Sequence, residues 1–169
     1  MPEPADLAEF VRAESAALLR FAWALCGNWS TAEDLVQTAL AATWPRWGAL
    51  TRADRPELYV RKVIVTTYLR WQRRRWSGEI PTQDFADSTD RSDDTAASDT
   101  RHALLSALRR LPPRQRAVIV LSYFLDLSEA DTAQVLDCSV GTVKRQKHAA
   151  LNRLRAQPEL AATFAGEAF

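Results

Sequence analysis

The chain has 169 residues, 47% of them apolar, with 22 Lys and Arg almost balancing 21 Asp and Glu. That composition suits one medium folded domain or two small ones and excludes wholesale disorder; Cys26 and Cys138 lie far apart with no CxxC companion, which excludes a disulfide framework and a zinc knuckle. Without an apolar run of about 18 residues, and with Met1-Pro2-Glu3-Pro4 lacking the basic start of a signal peptide, no membrane insertion is expected and a cytoplasmic location is.

In chain order, Leu7, Phe10, Val11, Leu18, Leu19, Phe21, Ala22 and Leu25 recur at helical spacing and predict a helix from about Asp6 to Cys26, stopped by Gly27-Asn28. Ser30 and Glu33 have the spacing of a capping box, in which hydroxyl and carboxylate each satisfy an open backbone N–H. The helix they open would carry Leu35, Val36, Ala39, Leu40 and Thr43 inward and fray near Trp44-Pro45. A loop over Trp47–Asp54 then leads to a third helix, opened by Pro56 and running through Leu58, Val60, Val63, Ile64, Tyr68 and Leu69 to Arg75. Within it, the β-branched run Val63–Thr67 is equally the composition of a strand, although helical flanks on both sides argue against one.

Residues 77–100 are rich in Ser, Thr and Asp, hold Pro81, and predict a linker. Charge sharpens that boundary: residues 1–76 carry a net +3, residues 77–100 a net −6, and residues 101–157 a net +6. Two basic blocks around an acidic, self-repelling segment suggest polyanion contact at both ends, with the halves able to reach separated sites.

Beyond the linker, a short helix from His102 to Leu111 is stopped by Pro112, and Pro113 opens another that buries Ala117, Val118, Val120, Leu121 and Phe124. Ser128 with Asp131 caps a third, a tight connection follows at Asp137-Cys138-Ser139, and a last helix runs from Val140 to about Gln157 with Val143, Ala150, Leu151 and Leu154 facing in. Two short capped helices around a tight turn form a helix-turn-helix, whose second helix enters the major groove. Its exposed face offers Thr142, Lys144, Arg145, Gln146, Lys147 and His148, residue types that bind phosphates or read base edges. Ser139 at its N-cap leaves backbone N–H groups near a phosphate. The plainer alternative, an amphipathic helix with a solvated basic face, is disfavoured by the capped helix and turn before it.

Leu111-Pro112-Pro113-Arg114-Gln115-Arg116-Ala117-Val118 followed by Gly141-Thr142-Val143-Lys144 resembles domain 4 of the extracytoplasmic-function (ECF) sigma factors of the sigma-70 superfamily. Ala32-Glu33-Asp34-Leu35-Val36-Gln37 resembles the polymerase-binding helix of domain 2 in the same family, and Tyr59–Val63 with Arg73-Arg74-Arg75 is similar to actinobacterial members. The motifs stand in family order across nearly the whole chain. The resemblance implies an all-α protein with sigma domain 2 at 1–76, an acidic linker at 77–100, sigma domain 4 at 101–157 and a short tail at 158–169. It implies an alternative sigma factor, not an enzyme and with no cofactor or metal, whose partners are core RNA polymerase and promoter DNA.

Residue by residue, the resemblance implies polymerase binding by Asp34, Leu35, Gln37 and Leu40, although Leu35 and Leu40 could equally be core. It implies minus-10 contact by Arg61, Lys62, Thr66, Arg70, Trp71, Arg73 and Arg74, with Arg52 and Arg55 in the Gly48–Arg55 loop capturing an unstacked base. It implies minus-35 contact by Arg114, Arg116, Ser139, Thr142, Lys144, Arg145, Gln146, Lys147 and His148. The chain departs from the family at Thr38, where a glutamate is common; at Leu58-Tyr59, where primary sigma factors carry paired tryptophans; and at Thr66, where asparagine is common. Weak DNA melting and strict promoter choice are the expected consequence. With only a short tail after Pro158, control by an anti-sigma factor is expected in place of a C-terminal regulatory extension.

Six tryptophans raise the further idea of a base-stacking platform. Trp23, Trp29, Trp44 and Trp47 sit on the first two helices, where packing is their expected role, while Trp71 and Trp76 lie among arginines and are the candidates for nucleic acid. A stand-alone helix-turn-helix regulator reading paired half-sites is the alternative function. A DNA-acting enzyme finds no Gly-rich phosphate loop or acidic metal cluster in the sequence, and only His102 and His148 as histidines.

Overall fold

The computed structural model describes residues 4–52, 55–76, 95–158 and 160, and among them every regular element is a helix. The first is α1, Pro4–Cys26. It stops at Gly27, whose φ of +75° only glycine adopts without strain and whose N–H closes on the Trp23 carbonyl at 2.7 Å. Helix α2, Trp29–Thr43, follows after two residues, Gly27 and Asn28. Its cap is Asn28, not Ser30: Asn28 holds the extended backbone a cap requires, and its Oδ1 accepts from the Thr31 N–H at 3.0 Å, whereas Ser30 already lies inside the helix. Ala32, Leu35, Val36, Ala39 and Thr43 form its buried stripe.

Pro45 tightens the chain into one 3₁₀ turn, Trp44–Arg46, and the expected loop is then largely wound into a short helix, α3, Trp47–Arg52. Burial of Trp47 against Phe10 of α1, with ring centroids 4.8 Å apart, anchors this segment; Asp54 lies outside the described residues. Helix α4, Pro56–Trp76, runs through the middle of the molecule and buries Leu58, Val60, Ile64, Val65, Thr67 and Tyr68. Its β-branched run is helical because neighbours from α1 and α2 and from the second half of the chain pack around it, and tertiary burial overrides a weak strand preference.

The expected linker lies outside the described residues over 77–94, but its last part is helical: α5, Thr95–Arg109, starts seven residues before His102. Helix α6, Pro113–Ile119, opens on Pro113 and continues into a π-helical turn, Val120–Phe124, closed by the Leu125 N–H on the Val120 carbonyl at 3.2 Å. That turn leaves Phe124 exposed, against the expectation that it is buried. Helix α7, Glu129–Leu136, is capped by Ser128, whose Oγ accepts from Asp131 N–H at 3.0 Å. It ends at Asp137, a left-handed residue at φ +53°, with Cys138 N–H on the Ala133 carbonyl and Asp137 N–H on that of Gln134, the paired bonds of a Schellman stop. Ser139 then caps α8, Val140–Arg155.

The halves do not stand apart. Leu18, Phe21, Leu25, Leu35, Ile64 and Tyr68 from the first share one apolar core with Ala117, Val118, Leu121, Val135, Leu136 and Val143 from the second. A smaller cluster of Leu108, Leu111, Ile119 and Ala150 fixes α5 and α6 against α8.

Arg116 holds this junction together. Its guanidinium is buried and donates to the Leu108 and Arg109 carbonyls at the end of α5, to the Leu25 carbonyl at the end of α1 at 3.0 Å, and to the Tyr68 hydroxyl of α4 at 3.2 Å. Two helix C-termini, each with unsatisfied carbonyls and partial negative charge, thus converge on one cation. Nearby, Arg109 Nη2 donates to the Gly27 carbonyl at 2.9 Å.

Replacement of Arg116 by Met removes the donors that reach the Leu25 carbonyl and the Tyr68 hydroxyl in the core, while the Leu108 carbonyl keeps the Leu111 N–H at 3.1 Å; it is expected to destabilise the protein by about 3 kcal/mol, read as the shift of the urea midpoint, and Lys, lacking the fork, restores little. A Cβ at Gly27 would meet Arg109 Nε at 2.6 Å on a backbone disfavoured for alanine, so Gly27→Ala is expected to cost about 1 to 2 kcal/mol in the same assay.

Candidate nucleic-acid interface

Helix α8 is held by the apolar pair Val143 and Ala150, which turns the intervening polar residues outward. At its start, Ser139 Oγ accepts from Thr142 N–H at 3.1 Å and lies 3.0 Å from Thr142 Oγ1, which in turn accepts from Arg145 Nη2 at 3.1 Å. This local network sets the rotamer of Arg145 at the end of the helix that a groove-reading helix presents to bases. Lys144 and Lys147 bracket Glu129 of α7 at 3.8 and 3.9 Å, and Lys147 also lies over the Tyr123 ring, 5.2 Å from its centroid. Glu129 is a site residue that sequence inspection missed, because the pairing crosses from one helix of the motif to the other. Both ion pairs are long, with Lys144 exposed and Lys147 half-buried, and such pairs are weak, so the lysines remain available to a phosphate. His148 is exposed and paired with Asn152 at 3.3 Å, and Gln146 is half-buried.

The two arginines of the Pro112–Ala117 motif part company. Arg114 is exposed, whereas Arg116 points into the core and spends its donors on carbonyls there, which removes it from the DNA face. On α4, Arg70, Arg73 and Arg74 are exposed near the helix end; Lys62 and Arg61 are half-buried, Arg61 4.0 Å from Glu14. Thr66 is exposed, its hydroxyl donating back to the Lys62 carbonyl at 2.7 Å. Leu58 is buried and Tyr59 accepts from Arg46 at 3.4 Å, so the former cannot serve as a surface wedge.

Arg52 is exposed at the end of α3. Arg55 is not idle: it makes a two-pronged bond to Asp131 of α7 at 2.9 and 3.2 Å. That bond holds the Asp131 carboxyl below its ordinary range and raises the guanidinium in turn.

On α2, Asp34 and Gln37 are exposed and Leu40 is half-buried, but Leu35 is fully enclosed in the core and offers no surface to a partner. Among the tryptophans, Trp47 is buried, and Trp23 stacks on Trp29 at 5.1 Å. Trp44, expected to pack, is 42% exposed, while Trp71 packs against the core; the side chain of Trp76 lies outside the described set. Burial also pushes the Cys26 thiol and the Tyr68 hydroxyl up from their ordinary values.

Among the described residues no helix is long and apolar enough to cross a membrane, and no cluster of three His, Cys, Asp or Glu is placed to hold a metal. Fold and surface therefore define an all-helical protein in which a helix-turn-helix packs against a basic central helix. Residues 10–78 match the family model for sigma-70 region 2, and residues 101–154 that for sigma-70 region 4. The chain is 39% identical to the RNA polymerase sigma-E factor of Streptomyces coelicolor over 155 residues, covering 92% of this chain and 87% of that one. It is 30% identical to the ECF RNA polymerase sigma factor SigL of Mycobacterium tuberculosis over 145 residues, covering 83% and 82%. The sigma factor RpoE solved in complex with the anti-sigma factor NepR from Bartonella quintana shares the fold, with a TM-score of 0.71 and 24% identity over 89% of this chain and 94% of that one. The chain belongs to the sigma-70 family of RNA polymerase sigma factors, in its extracytoplasmic-function branch. Its role is in transcription initiation, not in catalysis.

Ser139→Ala removes both the cap and the acceptor that orders Thr142 and Arg145. It is expected to lower stability by about 1 kcal/mol in denaturant unfolding, within the range known for N-caps.

Proposed function

We propose that this chain is an alternative sigma factor that binds core RNA polymerase and directs initiation at promoters by reading minus-10 and minus-35 elements. The observation that carries the reading is the capped, outward-facing α8 within the matched region 4, downstream of a basic helix within the matched region 2. A stand-alone regulator would need no region 2.

In this proposal residues 1–76 serve as sigma domain 2, 77–100 as the acidic linker and 101–157 as sigma domain 4. Asp34, Gln37 and the accessible part of Leu40 contact polymerase. Lys62, Thr66, Arg70, Arg73 and Arg74 supply the charge and polar contacts for the minus-10 strand, with Arg61 and Trp71 supporting that helix from half-buried positions. Arg52 and Arg55 flank the place of an unstacked base. Arg114, Ser139, Thr142, Lys144, Arg145, Gln146, Lys147 and His148 meet the minus-35 duplex, phosphate contacts setting position and Arg145 and Gln146 reading bases. The protein works in the cytoplasm, where polymerase and promoter are, and is held in check by an anti-sigma factor, as the RpoE neighbour is seen bound to one.

Run-off transcription with purified core polymerase on the DNA upstream of the protein's own reading frame tests this. Specific initiation is expected only with the protein present. Arg145→Ala is expected to lower it about tenfold, the scale of one base-reading contact, while co-elution with core is unchanged. Tight binding to palindromic duplex by the protein alone, with no co-elution with core, would favour the stand-alone regulator.

A further inference from the structure

The face that α8 turns outward is basic, yet a carboxylate from the neighbouring helix stands within it. Glu129, the first residue of α7, holds Lys144 through Oε2 at 3.8 Å and Lys147 through Oε1 at 3.9 Å, one lysine to each oxygen. Lys147 is steadied from a second side by the Tyr123 ring, whose centroid lies 5.2 Å from the ammonium. The two lysines are three residues apart on one helix, the spacing at which side chains are neighbours, so their ammonium groups meet at one place.

Two ammonium groups that share a carboxylate, one on each oxygen, offer the same array of donors to a phosphate. Glu129 therefore stands where these lysines would draw a DNA phosphate, and the two anions compete for them. The competition is mild: the pairs are long, with the side chains of Lys144, Lys147 and Glu129 64%, 27% and 38% exposed, and a phosphate can displace the carboxylate. Its effect is nonetheless selective in kind. Phosphate contact is the part of DNA affinity that carries no sequence information, so a carboxylate that weakens it lowers binding to every duplex alike. Arg145 is held instead by Thr142, and its base reading is left intact.

Resting on the sigma-factor reading above, we propose that Glu129 is a built-in competitor of DNA phosphate that sets the sequence-independent affinity of the helix-turn-helix through Lys144 and Lys147. Random genomic sequence vastly outnumbers promoter sites, and a reading helix with unrestrained lysines would be retained there. A carboxylate on the neighbouring helix lowers that background without removing the lysines, which still position α8 once base contacts hold it at a promoter.

Fluorescence anisotropy of the full chain on a short labelled duplex of random sequence, across a salt series, tests this. Glu129→Gln, with unchanged circular dichroism, is expected to raise affinity about two- to tenfold at low salt, the scale of two exposed ion pairs. It is also expected to steepen the slope of log affinity against log salt by about one. The gain is expected to be lost in a Lys144→Ala, Lys147→Ala background, and Glu129→Asp to lie between parent and Glu129→Gln. Asp126→Asn, which removes a charge from another exposed residue of the same half, is expected to change affinity less. In run-off transcription with core polymerase, excess random duplex is expected to suppress Glu129→Gln more than the parent. Equal effects of Glu129→Gln and Asp126→Asn, a gain that survives loss of both lysines, an unchanged slope, or weaker or absent binding by Glu129→Gln would each overturn the proposal. The sigma-factor reading stands in all of these cases if core initiates with the protein, and core that neither binds nor initiates with it overturns that reading.

Discussion

A guanidinium deep in the molecule organises the rest. Arg116 is buried as a charge, which is tolerable only because it sits where two helices end and their last-turn carbonyls lack helical partners. The cation satisfies those carbonyls and the carbonyls compensate the cation, so neither could be buried so well without the other. Because Leu25 belongs to the first half and Leu108 and Arg109 to the second, this local exchange also sets where the halves meet. The shared core and the meeting of Arg55 with Asp131 lie around the same junction.

Around this junction the DNA-reading surface is built from cheap, local devices. Ser128 and Ser139 cap the two helices of the motif, Asp137 turns the chain between them at a left-handed backbone, and Val143 and Ala150 fix the roll of α8. The outward residues are then held by weak contacts: Thr142 with Arg145, and Glu129 with Lys144 and Lys147. Weakness is appropriate to the task. A lysine bound tightly within its own protein would have to be released before it could meet a phosphate, and the cost would be subtracted from affinity.

What the sequence made legible is what depends on neighbours along the chain. The caps at Ser128 and Ser139, the opening of α6 by Pro113 and the stop at Gly27 all rest on residues within one turn, and each stands where the pattern placed it. Even so, Ser30 and Glu33 had the spacing of a capping box while Asn28, two residues earlier, had the backbone for it. Arg116 was misplaced because an arginine in a motif next to a DNA-binding helix has every local reason to be on the surface. Its actual partner at Leu25 is 91 residues away. Leu35 shows the same limit: an apolar residue on a docking helix is consistent with either face until the packing of α1 and α4 against α2 is known. The Trp47–Arg52 segment is tied to α1 through Phe10, again a partner far along the chain.

Gly27 and Arg109 bear on how such a protein can change over generations. The glycine lies within the region 2 match and the arginine within the region 4 match, yet the space left by the missing side chain is filled by that arginine, which bonds to the glycine carbonyl. The halves look like interchangeable parts on a string, but they are fitted to each other. A hybrid joining residues 1–76 of one family member to residues 101–157 of another would inherit two intact sets of helices and a mismatched seam. A change on one side of this seam is therefore felt on the other, and the two positions are expected to change together.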